Sequence, residues 1–157
     1  MQDIKKDPSF EIVRLGLREL QNKYGLQPEE ILHQLSPKDE IPISVFKNPK
    51  LGILEVLVKY LKEERRMRLS TIAAELNRDQ RTIWSTYANS KRKHPIRLPK
   101  RPSKHSIPLA LFKDRKRSAL SVLVLFLQGQ GLSHKQTAIA LGRSYPTVYA
   151  ASRRGKR

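Results

Sequence analysis

Residues 41–62 read IPISVFKNPKLGILEVLVKYLK, and residues 107–128 repeat them as IPLALFKDRKRSALSVLVLFLQ. The two segments are identical at 10 of 22 positions, and every aligned pair is 66 residues apart. Further along the chain the separation falls to 65, as in the pair Ala73 and Ala138. A repeat of this length indicates one folding unit that is used twice.

Apolar residues recur at helical spacing in each copy, and turn-forming residues divide the copy into three helices. The predicted helices span about residues 50–66, 71–76 and 80–93 in the first copy and 113–128, 134–141 and 145–154 in the second. The predicted N-caps are Ser70, Asp79, Ser133 and Ser144. Each copy therefore predicts a tri-helical unit.

The last two helices of each copy fit a helix-turn-helix, in which the second helix enters the major groove of DNA. This packing needs a small residue on the first helix, a turn residue that tolerates positive φ, and a branched apolar anchor on the second. These residues are Ala73, Asn77 and Ile83 in the first copy and Ala138, Gly142 and Val148 in the second.

Residues 70–84, STIAAELNRDQRTIW, resemble the helix-turn-helix in DNA-binding region 4 of bacterial sigma factors and related regulators. Residues 132–144, LSHKQTAIALGRS, are similar, and NRDQRTIW also resembles helix-turn-helix repeats of uncharacterised archaeal proteins. The resemblance covers about two-thirds of the chain and implies a tri-helical fold and DNA binding without a particular target. No promoter-melting region is recognisable, so a sigma-factor role is not implied.

We therefore predict an all-α protein with two tandem tri-helical helix-turn-helix units after an N-terminal helical hairpin. The predicted parts are an N-terminal segment 1–40, a first unit 41–93, a basic Pro-rich linker 94–106, and a second unit 107–157 with a basic tail. The linker is expected to be extended and semi-stiff. It could follow the DNA backbone between two successive major-groove sites.

The N-terminal segment is expected to hold two helices, from Phe10 to Tyr24 with Ser9 as cap, and over 28–35. A plain helical hairpin and a degenerate third copy of the repeat both explain this pattern. Its near-neutral charge suits packing or homodimerisation better than binding to a polyanion.

Positive charge is concentrated in the second part of the chain. The net charge is +18; residues 1–64 carry −1 and residues 65–157 carry +19. The only acids in the latter region are Glu75, Asp79 and Asp114. Such a field attracts nucleic acid or another polyanion.

The exposed face of each predicted recognition helix supplies the candidate contacts. Arg81 suits guanine edges and Gln80 suits adenine edges, whereas the other cations are better placed for phosphates. Because Tyr145 has less hydrogen-bonding capacity, the second copy should be less selective. The candidate nucleic-acid-binding residues are Arg78, Gln80, Arg81, Ser85, Lys91, Arg92, Lys93, Arg97, Lys100, Arg101, Arg143, Tyr145, Arg153 and Arg154.

Two pairs of matched residues also have a structural interpretation. Arg78 and Arg143 could hold carbonyl oxygens at the turn instead of contacting nucleic acid. Trp84 and Tyr149 are expected to lie half-buried against the first helix of their copy, although either ring could stack on a base.

No catalytic or metal-binding constellation is recognisable. The chain has no cysteine, its four histidines lack ligand-spaced partners, and its longest apolar run is too short to cross a membrane. With no secretory signal at its start, we predict a cytoplasmic, non-enzymatic protein that binds double-stranded DNA without metal or cofactor. An RNA- or ribosome-binding factor, a protein-binding adaptor and a nucleic-acid-processing enzyme remain the alternatives.

Overall fold

The computed structural model describes residues 3–35, 40–99 and 101–157. The chain divides into two compact units, Met1–Lys38 and Asp39–Arg157. Helices dominate both units, and the described residues form a single two-stranded sheet. The predicted all-α class is therefore confirmed in its broad form, with one small sheet that the sequence did not predict.

The first unit contains helices α1 (Pro8–Tyr24) and α2 (Pro28–Leu35), which contact each other. The N-cap of α1 is Asp7, whose carboxylate accepts the Ser9 N–H at 2.8 Å. Ser9 is therefore inside the helix, and its prediction as the cap was wrong. Gly25 ends α1 at φ 67°, a left-handed backbone conformation that glycine tolerates.

The second unit contains both copies of the repeat, and each copy is built in the same order. The first has strand β1 (Glu40–Pro42), a 3₁₀ turn (Ile43–Phe46) and helices α3 (Ile53–Glu63), α4 (Leu69–Glu75) and α5 (Gln80–Lys93). The second has strand β2 (Ser106–Pro108), a 3₁₀ turn (Leu109–Lys113) and helices α6 (Ala119–Gly129), α7 (His134–Leu141) and α8 (Tyr145–Gly155).

The second and third helices of each copy match the predicted bounds closely, whereas the first helices begin later. The Ser118 hydroxyl caps α6 by accepting the Ser121 N–H at 3.1 Å, and Lys113 belongs to the preceding 3₁₀ turn. In the first copy α3 starts after Gly52. Ser70 lies inside α4 and is not its cap, because that helix already begins at Leu69.

Three helices pack together in each copy around the predicted apolar anchors. In the first copy α5 packs against both α3 and α4, and in the second copy α8 packs against α6 and α7. Ile83 and Val148 are fully buried, and Ala73 and Ala138 are buried beside them in one core. The burial expected for these four residues is therefore confirmed.

The two copies share this core, and equivalent elements of the two copies contact each other across it. Strand β1 pairs antiparallel with β2, and Ile41 lies opposite its own repeat equivalent, Ile107. The equivalent rings of Phe46 and Phe112 are 6.0 Å apart between centroids, and helix α3 contacts its equivalent α6. The 3₁₀ turn of each copy also contacts the second helix of the other, α7 or α4. The copies are fused into one body.

The segment predicted as a linker is attached to the first copy at several points. Leu98 is buried in the shared core. The Ser44 hydroxyl donates to the Arg101 carbonyl at 2.8 Å, and the Ile43 N–H donates to the His105 carbonyl at 3.0 Å. In place of the expected extended spacer, this segment forms a hydrogen-bonded strap, because its carbonyls satisfy donors at the start of the first copy.

Candidate nucleic-acid interface

The start of α5 is held by local hydrogen bonds that leave its side chains exposed. Asn77 adopts φ 51° in the turn before the helix, as predicted. Asp79 caps α5, and its carboxylate accepts the Arg81 N–H at 2.8 Å. The side chains of Gln80 and Arg81 are exposed, while Ile83 anchors the opposite face in the core. This geometry presents Gln80 and Arg81 to solvent from a fixed backbone.

Three further candidates lie on the exposed surface of α5. Ser85 is exposed, but its hydroxyl already donates to the Thr82 carbonyl at 3.0 Å. Lys91 is exposed, and its Nζ lies 5.9 Å from the centroid of the Tyr87 ring. Arg92 is also exposed. The helix thus offers two cations near its C-terminal end and a hydroxyl that is partly satisfied within the helix.

Trp84 is 63% exposed, so the prediction that it lies half-buried against the first helix was wrong. It adjoins the buried anchor Ile83, and the indole projects from the face of α5 that the core does not cover. A large exposed ring beside Arg81 offers a stacking surface for a base or sugar.

Helix α8 presents an aromatic cluster that includes Tyr145 at the position equivalent to Gln80 of α5. The rings of Tyr145 and Tyr149 are stacked at 6.2 Å between centroids, and His134 of α7 lies 5.4 Å from Tyr149. Both tyrosines remain about half exposed. This cluster was not predicted from the sequence, although the four-residue spacing of the tyrosines places them on one helical face.

The C-terminal part of α8 adds exposed cations to this surface. Arg153 and Arg154 are exposed, and Arg154 Nε donates to the Ala150 carbonyl at 3.4 Å within the helix. On the same helix, Val148 and Ala151 are buried in the core. Both arginines remain candidates for phosphate contacts.

Two of the predicted phosphate contacts are already engaged by carboxylates. Lys93 Nζ lies 2.9 Å from Glu55 Oε1. Arg97 Nε lies 3.3 Å from Glu64 Oε1, and its guanidinium donates to the Glu63 carbonyl at 2.8 Å. These two cations are therefore less available to bind an anion, because a carboxylate already neutralises each of them. Lys100 lies outside the residues that the structure describes.

Arg143 has a structural role at the junction of the two copies. Its guanidinium donates to the carbonyls of Pro49, at 3.5 Å, and Leu51, both in the loop before α3. Desolvation by burial lowers the pKa of Arg143. The matched Arg78 is also half-buried. These placements favour the carbonyl-holding interpretation for Arg143 over its predicted contact with nucleic acid, although the carbonyls belong to the other copy.

Arg143→Ala is expected to lower the free energy of unfolding by about 1.5 kcal/mol, because it leaves two carbonyl acceptors without their charged donor. Urea denaturation of the full chain measures this change. Arg143→Lys keeps the charge but not the forked donor geometry, so we expect a similar loss. The exposed Arg153→Ala should leave stability unchanged. Loss of duplex affinity with unaltered stability in Arg143→Ala would instead identify a direct contact.

The three acids of residues 65–157 each interact with a nearby residue, so they neutralise little of the positive charge on the surface. Asp79 caps α5, and Glu75 lies 4.0 Å from Lys113. Asp114 accepts the Lys116 N–H at 2.8 Å, a hydrogen bond that lowers the pKa of its carboxyl. Since each carboxylate is engaged locally, the exposed arginines and lysines determine the sign of this surface.

Among residues 3–35, 40–99 and 101–157, no three histidine or acidic side chains are grouped as metal ligands would be. No helix within these ranges combines the length and apolar character needed to cross a membrane.

No known protein family matches the chain, and no curated protein or solved structure matches it significantly.

Proposed function

We propose that the protein is a non-enzymatic, double-stranded DNA-binding protein with two helix-turn-helix units, α4–α5 and α7–α8. In this assignment α5 and α8 are the recognition helices that enter the major groove. The observation that carries the proposal is the start of α5. There the Asp79 cap and the buried Ile83 fix the backbone, and Gln80 and Arg81 remain exposed.

Side-chain chemistry assigns different roles to the two helices. An arginine and a glutamine can each form two hydrogen bonds to a purine edge in the major groove, so α5 supplies most of the sequence selection. The equivalent positions of α8 hold Tyr145 and Pro146, which have little capacity for such readout. Because Arg153 and Arg154 are exposed nearby, α8 mainly contributes affinity through contacts with the phosphate backbone.

Arg81→Ala is expected to relax base preference at one position of the preferred site by about tenfold, because it removes a bidentate base contact. Selection from a random duplex library with the full chain, before and after the substitution, measures this effect. Arg92→Ala on the same helix is the matched control, since a lost phosphate contact weakens all sequences alike. Equal loss on every sequence in both variants would contradict base readout by Arg81.

The exposed rings favour single-stranded RNA as a second candidate ligand. Trp84, Tyr145 and Tyr149 are at least 44% exposed, and aromatic rings beside cations stack on unpaired bases. Competition between duplex DNA and single-stranded RNA at matched salt separates the two candidates. Preference for RNA that is lost in Trp84→Ala and Tyr149→Ala would replace the DNA proposal.

A further inference from the structure

We propose that a single chain recognises an imperfect inverted repeat in duplex DNA, with α5 on one half-site and α8 on the other. This inference rests on the proposed function, because it assumes that both helices bind duplex DNA. Beyond DNA binding itself, the two half-sites are inverted, one chain occupies both, and the half-sites differ in sequence because α5 and α8 differ.

The pairing register of the small sheet defines how one copy of the repeat is oriented relative to the other. Ile41 pairs with its repeat equivalent Ile107, and the flanking pairs are Glu40 with Pro108 and Pro42 with Ser106. Since the strands are antiparallel, the operation that carries one copy onto the other reverses the strand direction at this pair. A two-fold rotation satisfies that condition, whereas a translation along the chain does not.

The same operation extends from the sheet to the helices. The equivalent rings of Phe46 and Phe112 contact each other, and so do the equivalent helices α3 and α6. The contact of the first 3₁₀ turn with α7 is matched by a reciprocal contact of the second 3₁₀ turn with α4. Because α5 packs on α3 and α8 packs on α6, the axis that relates α3 to α6 also relates α5 to α8.

The turns before α5 and α8 are fixed to this shared core. Arg143, immediately before α8, donates to carbonyls of the loop that precedes α3. A Cβ added at Gly142 would lie 3.0 Å from Lys47 Cγ, which shows how closely the first copy approaches this turn. The strap also restricts independent rotation of the two copies, because hydrogen bonds hold its residues Arg101 and His105 to the start of the first copy.

Two recognition helices that are related by a two-fold axis match half-sites that are inverted with respect to each other. In natural helix-turn-helix dimers two chains supply this symmetry, whereas here one chain contains both helices. Gln80 and Arg81 occupy the reading positions on one side, and Tyr145 and Pro146 occupy them on the other. The two halves of the site should therefore differ, with stronger sequence preference in the half read by α5.

The test is selection from a random duplex library with the full 157-residue chain, followed by affinity measurements on defined duplexes. We expect one chain per duplex and about 100-fold tighter binding to the inverted arrangement than to a single half-site, because the second contact is then intramolecular. A direct repeat of the same half-sites should bind no better than the single half-site.

A variant that carries Tyr145→Gln and Pro146→Arg gives the sharpest control. It places the reading residues of α5 on α8 while keeping the Ser144 cap, and circular dichroism confirms that it folds. The selected site should then become a symmetric inverted repeat. Selection of a direct repeat, or of two separate duplexes per chain, would overturn the inference and leave the proposed function intact. A folded chain that binds no duplex would overturn both.

Discussion

Glu63→Ala is expected to lower the free energy of unfolding by about 3 kcal/mol, because it leaves a buried ammonium group without its counter-charge. Lys59 is fully buried, and its Nζ lies 2.8 Å from Glu63 Oε1. The Tyr87 hydroxyl donates to the same oxygen at 3.3 Å. Burial, together with the charge and hydrogen bond of Glu63, raises the pKa of the Tyr87 phenol. Urea denaturation measures the loss.

The second copy supplies the control for this prediction. The equivalents of Lys59 and Glu63 are Leu125 and Gly129, so the same fold forms without the ion pair. The double variant Lys59→Leu/Glu63→Ala should therefore recover most of the lost stability, since no charge remains buried. If Glu63→Ala alone unfolds at the same urea concentration as the parent protein, the Lys59 ammonium is not held by this carboxylate.

Local chemistry made most of the helical elements predictable. The bounds of α5 follow from the Asp79 cap, and those of α7 and α8 follow from the caps Ser133 and Ser144. The left-handed turns at Asn77 and Gly142 follow from residues that tolerate positive φ. These features depend on residues only a few positions apart, so the sequence pattern is sufficient to locate them.

The fusion of the two copies could not be predicted from the same patterns. Ile41 and Ile107 are apolar positions near the start of each copy, and they would look the same in two separate units. Their pairing is decided by contacts across 66 residues, which periodicity within one element does not report. The acceptors of Arg143 could not be predicted for the same reason, because both carbonyls lie more than 90 residues away in the chain. The exposure of Trp84 could not be predicted either, because the spacing of residues along a helix does not show how far neighbouring helices cover a ring.

A fourfold rise in salt concentration is expected to weaken duplex binding by about 500-fold. In the proposed assignment, phosphates would be neutralised by five of the candidate residues whose side chains are exposed: Lys91, Arg92, Arg101, Arg153 and Arg154. Five such contacts release enough counterions for a slope of about −4.5 in a plot of log affinity against log salt. Fluorescence anisotropy of a labelled duplex, measured at several salt concentrations, gives this slope.

Neighbouring residues on α5 separate the contribution of bound phosphates from that of overall charge. Arg92→Ala and Lys93→Ala each remove one positive charge, but Lys93 already lies 2.9 Å from the Glu55 carboxylate. We therefore expect Arg92→Ala to reduce the slope by about 0.9 and Lys93→Ala to change it little. Equal changes in both variants would mean that net charge, rather than placement on the helix, controls binding. Affinity that is independent of salt would instead favour a protein partner, because a binding surface built on these exposed cations must respond to counterions.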